Sequence, residues 1–145
     1  LQHEGREICG ELSNAELGGS VKRAEVELPH AYAAPNLASL RRQVALDAAG
    51  VFTWQDTAHF AENPVEVEEA LMTWLEVEAA GAMAILHGER HNVKLTIEAP
   101  SDAAFHVERL EEQCQANAKP GVLKRLTFVL PAAAQAQARV RIQVI

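Results

Sequence analysis

The chain predicts an all-β fold, an antiparallel β-sandwich of roughly ten short strands. Three observations predict it. A β-hairpin is legible from Leu40 to Asp56, period-two alternation recurs along most of the chain, and glycine- and proline-bearing turns cut that alternation into short runs.

The hairpin is the most informative stretch. Leu40, Val44 and Leu46 share one phase, and Asp47-Ala48-Ala49-Gly50 follows. Ala48-Ala49-Gly50 reads as a three-residue loop, a type I turn closed by a left-handed glycine. That loop sets Asp47 opposite Val51, and the pairs then follow: Leu46 with Phe52, Val44 with Trp54, Arg42 with Asp56. A charge on an apolar sheet face is expensive unless it is paired, so Arg42 and Asp56 are expected to meet there as a structural charge pair. The functional reading of that pair, an anchor for a neighbouring domain or an anionic sugar, ranks second.

The other elements follow in order. Arg6 to Leu12 reads as a first strand, and Gly18-Gly19 breaks the chain. Ala24, Val26 and Leu28 then alternate with Arg23, Glu25 and Glu27 until Pro29. The connection to Pro35 is expected to bring Tyr32 inward. Val65 to Ala80 carries two patterns. Val67, Ala70, Leu71, Trp74 and Leu75 fit a helical stripe, while Val65, Val67, Leu71, Leu75 and Val77 all fall on the odd phase of a strand. Pro64 and Gly81 bracket the run without a convincing N-cap, and two short strands meeting near Trp74 are predicted. Ala82–Leu86 and Asn92–Glu98 form a second hairpin around His87-Gly88-Glu89-Arg90-His91. Phe105 and Val107 continue the alternation, Glu111–Asn117 reads as a polar connection, and two closing strands carry Leu126, Phe128, Leu130 and Val140, Ile142, Val144.

The 145 residues suit a single β-sandwich domain over the whole chain, with 48% hydrophobic residues. A net charge of -7 and a pI near 5.3 weigh against nucleic acid as a partner. No apolar run is long enough for a membrane span. Cys9 and Cys114 permit one bridge or two separate thiols, and fix no compartment. The chain opens at Leu1 in mid-pattern, as expected of a fragment of a longer protein.

Chemistry-bearing constellations are sparse. Among His3, His30, His59, His87, His91 and His106, only His87 and His91 are close, and they bracket a hairpin turn rather than sharing a helix face. They read as solvated turn residues, and neither a metal nor another cofactor is expected. Glu62, Glu66, Glu68, Glu69, Glu76 and Glu78 read mainly as a solvated strand face. The serines lack a nucleophile elbow, and no phosphate loop appears. Trp54, Trp74 and Tyr32 offer aromatic faces on which a sugar ring could stack; Trp54 reads as core, and Tyr32, in a connection, is the freer candidate sugar contact.

The ordered patterns Val21–Leu28, Ala31-Tyr32, Leu40-Arg41-Arg42-Gln43-Val44, the strand ending in Asp56, and Ala70-Leu71-Met72-Thr73-Trp74-Leu75-Glu76-Val77-Glu78 resemble the heparinase II/III-like polysaccharide lyases. Gly121–Leu130 and Arg139–Val144 resemble that family's closing strands. The resemblance implies a C-terminal β-sandwich of a carbon–oxygen lyase that cleaves uronic-acid-containing polysaccharide by β-elimination. It also implies an α/α-toroid upstream as partner, contact with anionic polysaccharide through the parent chain, and a periplasmic or secreted parent. The family's catalytic Tyr and His residues precede this segment, so the fragment itself is expected to carry no catalytic residue. The alternative is a stand-alone carbohydrate-binding β-sandwich.

Overall fold

A computed structural model describes residues 9–28, 32, 34 and 36–145. The strands are β1 (Glu11–Glu16), β2 (Lys22–Glu27), β3 (Leu37–Leu46), β4 (Phe52–Phe60), β5 (Val67–Thr73), β6 (Glu76–Ala80), β7 (Met83–His87), β8 (Asn92–Ala99), β9 (His106–Arg109), β10 (Lys124–Leu130) and β11 (Gln135–Val144). One short helix, α1 (Glu111–Ala116), lies between β9 and β10. Two antiparallel sheets result, a large one in the order β1-β2-β3-β4-β11-β8-β7-β6 and a small one in the order β5-β10-β9. The fold is the all-β sandwich that the alternation predicts.

The central hairpin has the predicted register: Leu46 lies opposite Phe52, Val44 opposite Trp54 and Arg42 opposite Asp56. Gly50 takes a φ of 77°, in the left-handed region where a Cβ would be strained. Asp47 closes the loop twice. Its backbone N–H donates to the Val51 carbonyl at 3.0 Å, and its Oδ1 accepts from the N–H groups of Ala49 and Val51, each at 2.9 Å.

Alternation then builds the core. Leu126, Phe128 and Leu130 of β10 face Leu95 and Ile97 of β8, Val140 of β11, and Trp54, Ala58 and Phe60 of β4, all in one buried cluster. Phe105 meets Phe128 edge to face, with centroids 5.7 Å apart and planes at 86°. The run after Pro64 is two strands rather than a helix. The odd phase wins because β5 pairs along its whole length with β10, from Val67–Leu130 to Thr73–Lys124.

Three elements depart from the sequence reading. Among the described residues the first strand begins at Glu11, with Cys9 and Gly10 outside it; Arg6 to Ile8 lie outside the described residues, as do Pro29, Ala31 and Pro35. β1 is an edge strand exposed on both faces, so its polar stretch to Glu16 pairs with β2 without any apolar alternation to announce it. Glu111–Ala116 is helical instead of a plain connection. Two acidic residues in its first turn suit the helix dipole, and Cys114 alone is buried, too few apolar positions to show a period. Finally, β11 starts earlier than Arg139, because Ala136 and Ala138 continue its buried phase with small side chains.

Burial is uneven across the large sheet. No residue of β1 or β2 is buried, and in β3 only Leu40 is, whereas β4, β8 and β11 each bury alternate residues. The small sheet thus packs over the centre of the large one. Among the described residues it leaves the apolar phase of β1–β3, including Leu12, Val26, Val44 and Leu46, half-covered or open.

Candidate functional site

Where β5 meets the hairpin, three ionisable side chains converge. Arg42 and Asp56 come from the inner faces of β3 and β4, and Glu69 comes from the inner face of β5. Arg42 Nε donates to Asp56 Oδ1 at 2.8 Å and its Nη2 to Asp56 Oδ2 at 2.5 Å, a two-pronged contact that fits the planar guanidinium. The same Nη2 stands 3.9 Å from Glu69 Oε2. Asp56 is 2% exposed and Glu69 7%, while the Arg42 side chain stays 36% exposed. Arg42 also lies over the Trp54 ring, with Cζ 4.9 Å from its centroid, so the indole shields one side of the cation.

Two buried carboxyls thus share one guanidinium. The shortfall of positive charge falls on Glu69, whose pKa is pushed up from 4.5 to about 8. Burial is the main cause; the negative charge of Asp56 and a hydrogen bond to it add to the shift, and Arg42 partly opposes it. At neutral pH Glu69 is therefore mostly protonated, so its hydroxyl serves as a donor to Asp56. Burial likewise raises the Tyr32 phenol, with Arg42 lowering it and Glu69 and Asp56 raising it.

Tyr32 is half-buried, packed against the core cluster at one side of a cleft of about 410 Å³. Leu37, Leu40, Ala58 and Phe60 line this cleft with Asp56 and Glu69, and Glu66 and Glu68 stand among its walls. The sign of that lining matters. An anionic sugar entering beside Tyr32 would meet up to four carboxyl groups, and the nearby guanidinium is already engaged by Asp56. The arrangement suits holding β5 to the large sheet.

Glu69 was the member missed in sequence. Its signal was phase: it occupies the odd positions of Val67 and Leu71, yet sits in a run crowded with exposed glutamates. Trp74, weighed with Trp54 and Tyr32 as a sugar-stacking aromatic, was passed over in favour of Tyr32. Trp54 is buried as core, and Trp74 is the exposed indole.

The histidines remain dispersed. His59 is exposed on β4, His87 ends β7 with Nε2 3.4 Å from Glu78 Oε1, His91 is exposed in the following turn, and His106 is exposed on β9; His3 and His30 lie outside the described residues. Among the described residues no three His, Cys, Asp or Glu side chains come together as a metal site. Cys114 is buried on α1, its Sγ accepting from the Leu123 N–H at 3.3 Å, and Cys9 is at an exposed position. No described helix is long and apolar enough to cross a membrane.

No family model and no curated protein matches the chain. Solved structures do. Heparan sulfate lyase HepC from Pedobacter heparinus matches with a TM-score of 0.69 at 14% identity, over 93% of this chain and 21% of that one. A heparinase III structure matches with a TM-score of 0.72 at 15% identity, over 94% and 21%. A heparinase III with methylated lysines matches at 0.72 and 14%, with the same coverage as the latter, 94% and 21%. At these identities the likeness is one of fold, and at that level the resemblance read from the sequence holds. The chain spans about a fifth of the length of the structures it matches.

Proposed function

We propose that this chain is a C-terminal accessory β-sandwich of a polysaccharide lyase that cleaves uronic-acid-containing polysaccharide by β-elimination, and that it is inactive alone. The observation that carries this reading is the match itself: nearly all of this chain against a fifth of heparinase III chains. The half-covered apolar phase of β1–β3 supports it, since a sheet face of that kind is costly in water and suits a second body. In this reading the remainder of the parent chain, an α/α-toroid, docks there. The parent is a periplasmic or secreted enzyme that handles the anionic polysaccharide.

The chemistry explains why the fragment is silent. Elimination across C4–C5 of a uronate needs a neutralised carboxylate, a base at the C5 proton and an acid at the leaving O4. Here the one tyrosine lies in a carboxyl-lined cleft and the described histidines are scattered. A stand-alone module using Tyr32 as its sugar contact ranks below this reading for the same reason of charge.

The test is an elimination assay that follows the ultraviolet absorbance of unsaturated uronate products. The 145-residue chain should release none, whereas the chain extended by its preceding region should release them continuously. Robust release by the isolated chain would overturn the proposal.

A further inference from the structure

Trp74 lies in the corner between β5 and β6, where the chain passes from the small sheet to the large one, and is 53% exposed. The corner is pinned. Thr73 Oγ1 accepts from the Leu75 N–H at 3.1 Å. Lys124, itself 3% exposed, donates through Nζ to the Trp74 carbonyl at 3.4 Å and to Glu76 Oε1 at 2.5 Å. Gly121 lies beside the ring; a Cβ there would stand 3.7 Å from Trp74 Cε3. Arg109 joins the same charge cluster through Glu76, with Nη1 3.4 Å from Glu76 Oε2 and Nε 2.9 Å from Glu111 Oε1. Because Lys124 pairs in register with both Thr73 and Arg109, these groups gather at one end of the small sheet.

An indole left half in water gives up much of the free energy its burial would supply. Its backbone is already ordered, so a ligand that covers the ring pays little to fix it. We propose that Trp74 is the platform of a carbohydrate-binding subsite, taking the apolar face of a pyranose ring while Arg109 and Glu76 hydrogen-bond its hydroxyls. Two cations, Lys124 and Arg109, balance two anions, Glu76 and Glu111, so the rim neither repels an anionic sugar nor depends on one. A charged rim beside the ring fits a sugar better than a protein hot spot, which needs a wider apolar surround than the exposed Met72 and Leu75 provide. The site adjoins β6, at the opposite edge of the large sheet from β1, and stays open when the β1–β3 face is covered. The inference does not depend on lyase activity.

Titration of the isolated chain with neutral and uronic-acid oligosaccharides, read by calorimetry and tryptophan fluorescence, tests it. At least one oligosaccharide should bind and perturb the emission of an exposed indole. Trp74→Ala should weaken that binding about tenfold or more, the scale of one lost aromatic contact. Trp74→Phe should retain part of the affinity, and urea melts of both variants establish that they fold. Absence of binding at millimolar sugar, or equal affinity in a folded Trp74→Ala variant, would overturn the subsite; neither result bears on the elimination assay, which tests the lyase reading separately.

Discussion

Asp56→Ala is expected to lower the unfolding free energy by about 2–4 kcal/mol near pH 6, measured by urea denaturation. The carboxylate is 2% exposed and accepts both prongs of the Arg42 guanidinium. Removing it strands a cation against Trp54 and opens a void beside β5. Arg42 keeps the cost below that of a fully enclosed ion, because its side chain is 36% exposed and can recruit water. Glu69 offers a second refuge. With Asp56 gone, one cause of its raised pKa disappears, and its Oε2 stands only 3.9 Å from Arg42 Nη2. The deficit should therefore shrink as the pH rises and Glu69 ionises to replace the lost partner. Replacing both members together, Arg42→Met with Asp56→Leu, should cost far less than the sum of the single changes. A loss within about 0.5 kcal/mol for Asp56→Ala, the range of ordinary surface changes, would show that the pair does not hold this seam.

Glu69→Gln is expected to change the pH dependence of stability more than stability itself. The folded-state pKa of Glu69 is raised from 4.5 to about 8, so the folded chain keeps a proton that the unfolded chain releases. The resulting stabilisation is complete below about pH 4.5 and is lost as the pH rises through about 8. Glutamine is neutral throughout, and its amide can donate to Asp56 as the protonated acid does. The variant should match the parent near pH 5 and exceed it by roughly 2–4 kcal/mol at pH 9, since one pKa unit is worth about 1.4 kcal/mol and Arg42 can swing toward the ionising carboxylate. Parallel stability curves for the two proteins between pH 5 and 9 would contradict a buried, protonated Glu69.

How much of this was legible depends on where each constraint is encoded. The Arg42–Asp56 register lies in local sequence, because a glycine-closed loop sets the pairing and period two carries it along both strands. β5 was legible for the same reason, its odd phase outweighing a competing helical stripe. Glu69 was not, since its partners lie on the facing sheet, and alternation along one strand does not say what covers it. Ala136 and Ala138 hid the start of β11 because alanine is weakly apolar and carries no strand preference. β1 and α1 were obscure for a different reason: each is mostly exposed, and exposure erases the periodicity that burial imposes. The exposure of Trp74 follows from the corner between sheets, which is a tertiary fact.

Hydrogen exchange across the large sheet tests most directly whether the module docks through its half-covered face. The isolated chain should be compared with the chain extended by its preceding region. Amides of β1, β2 and β3 should gain protection in the extended protein, while those of β6 and β7 at the opposite edge should exchange as before. Unchanged exchange in β1–β3, or new protection confined to β6 and β7, would contradict docking at that face.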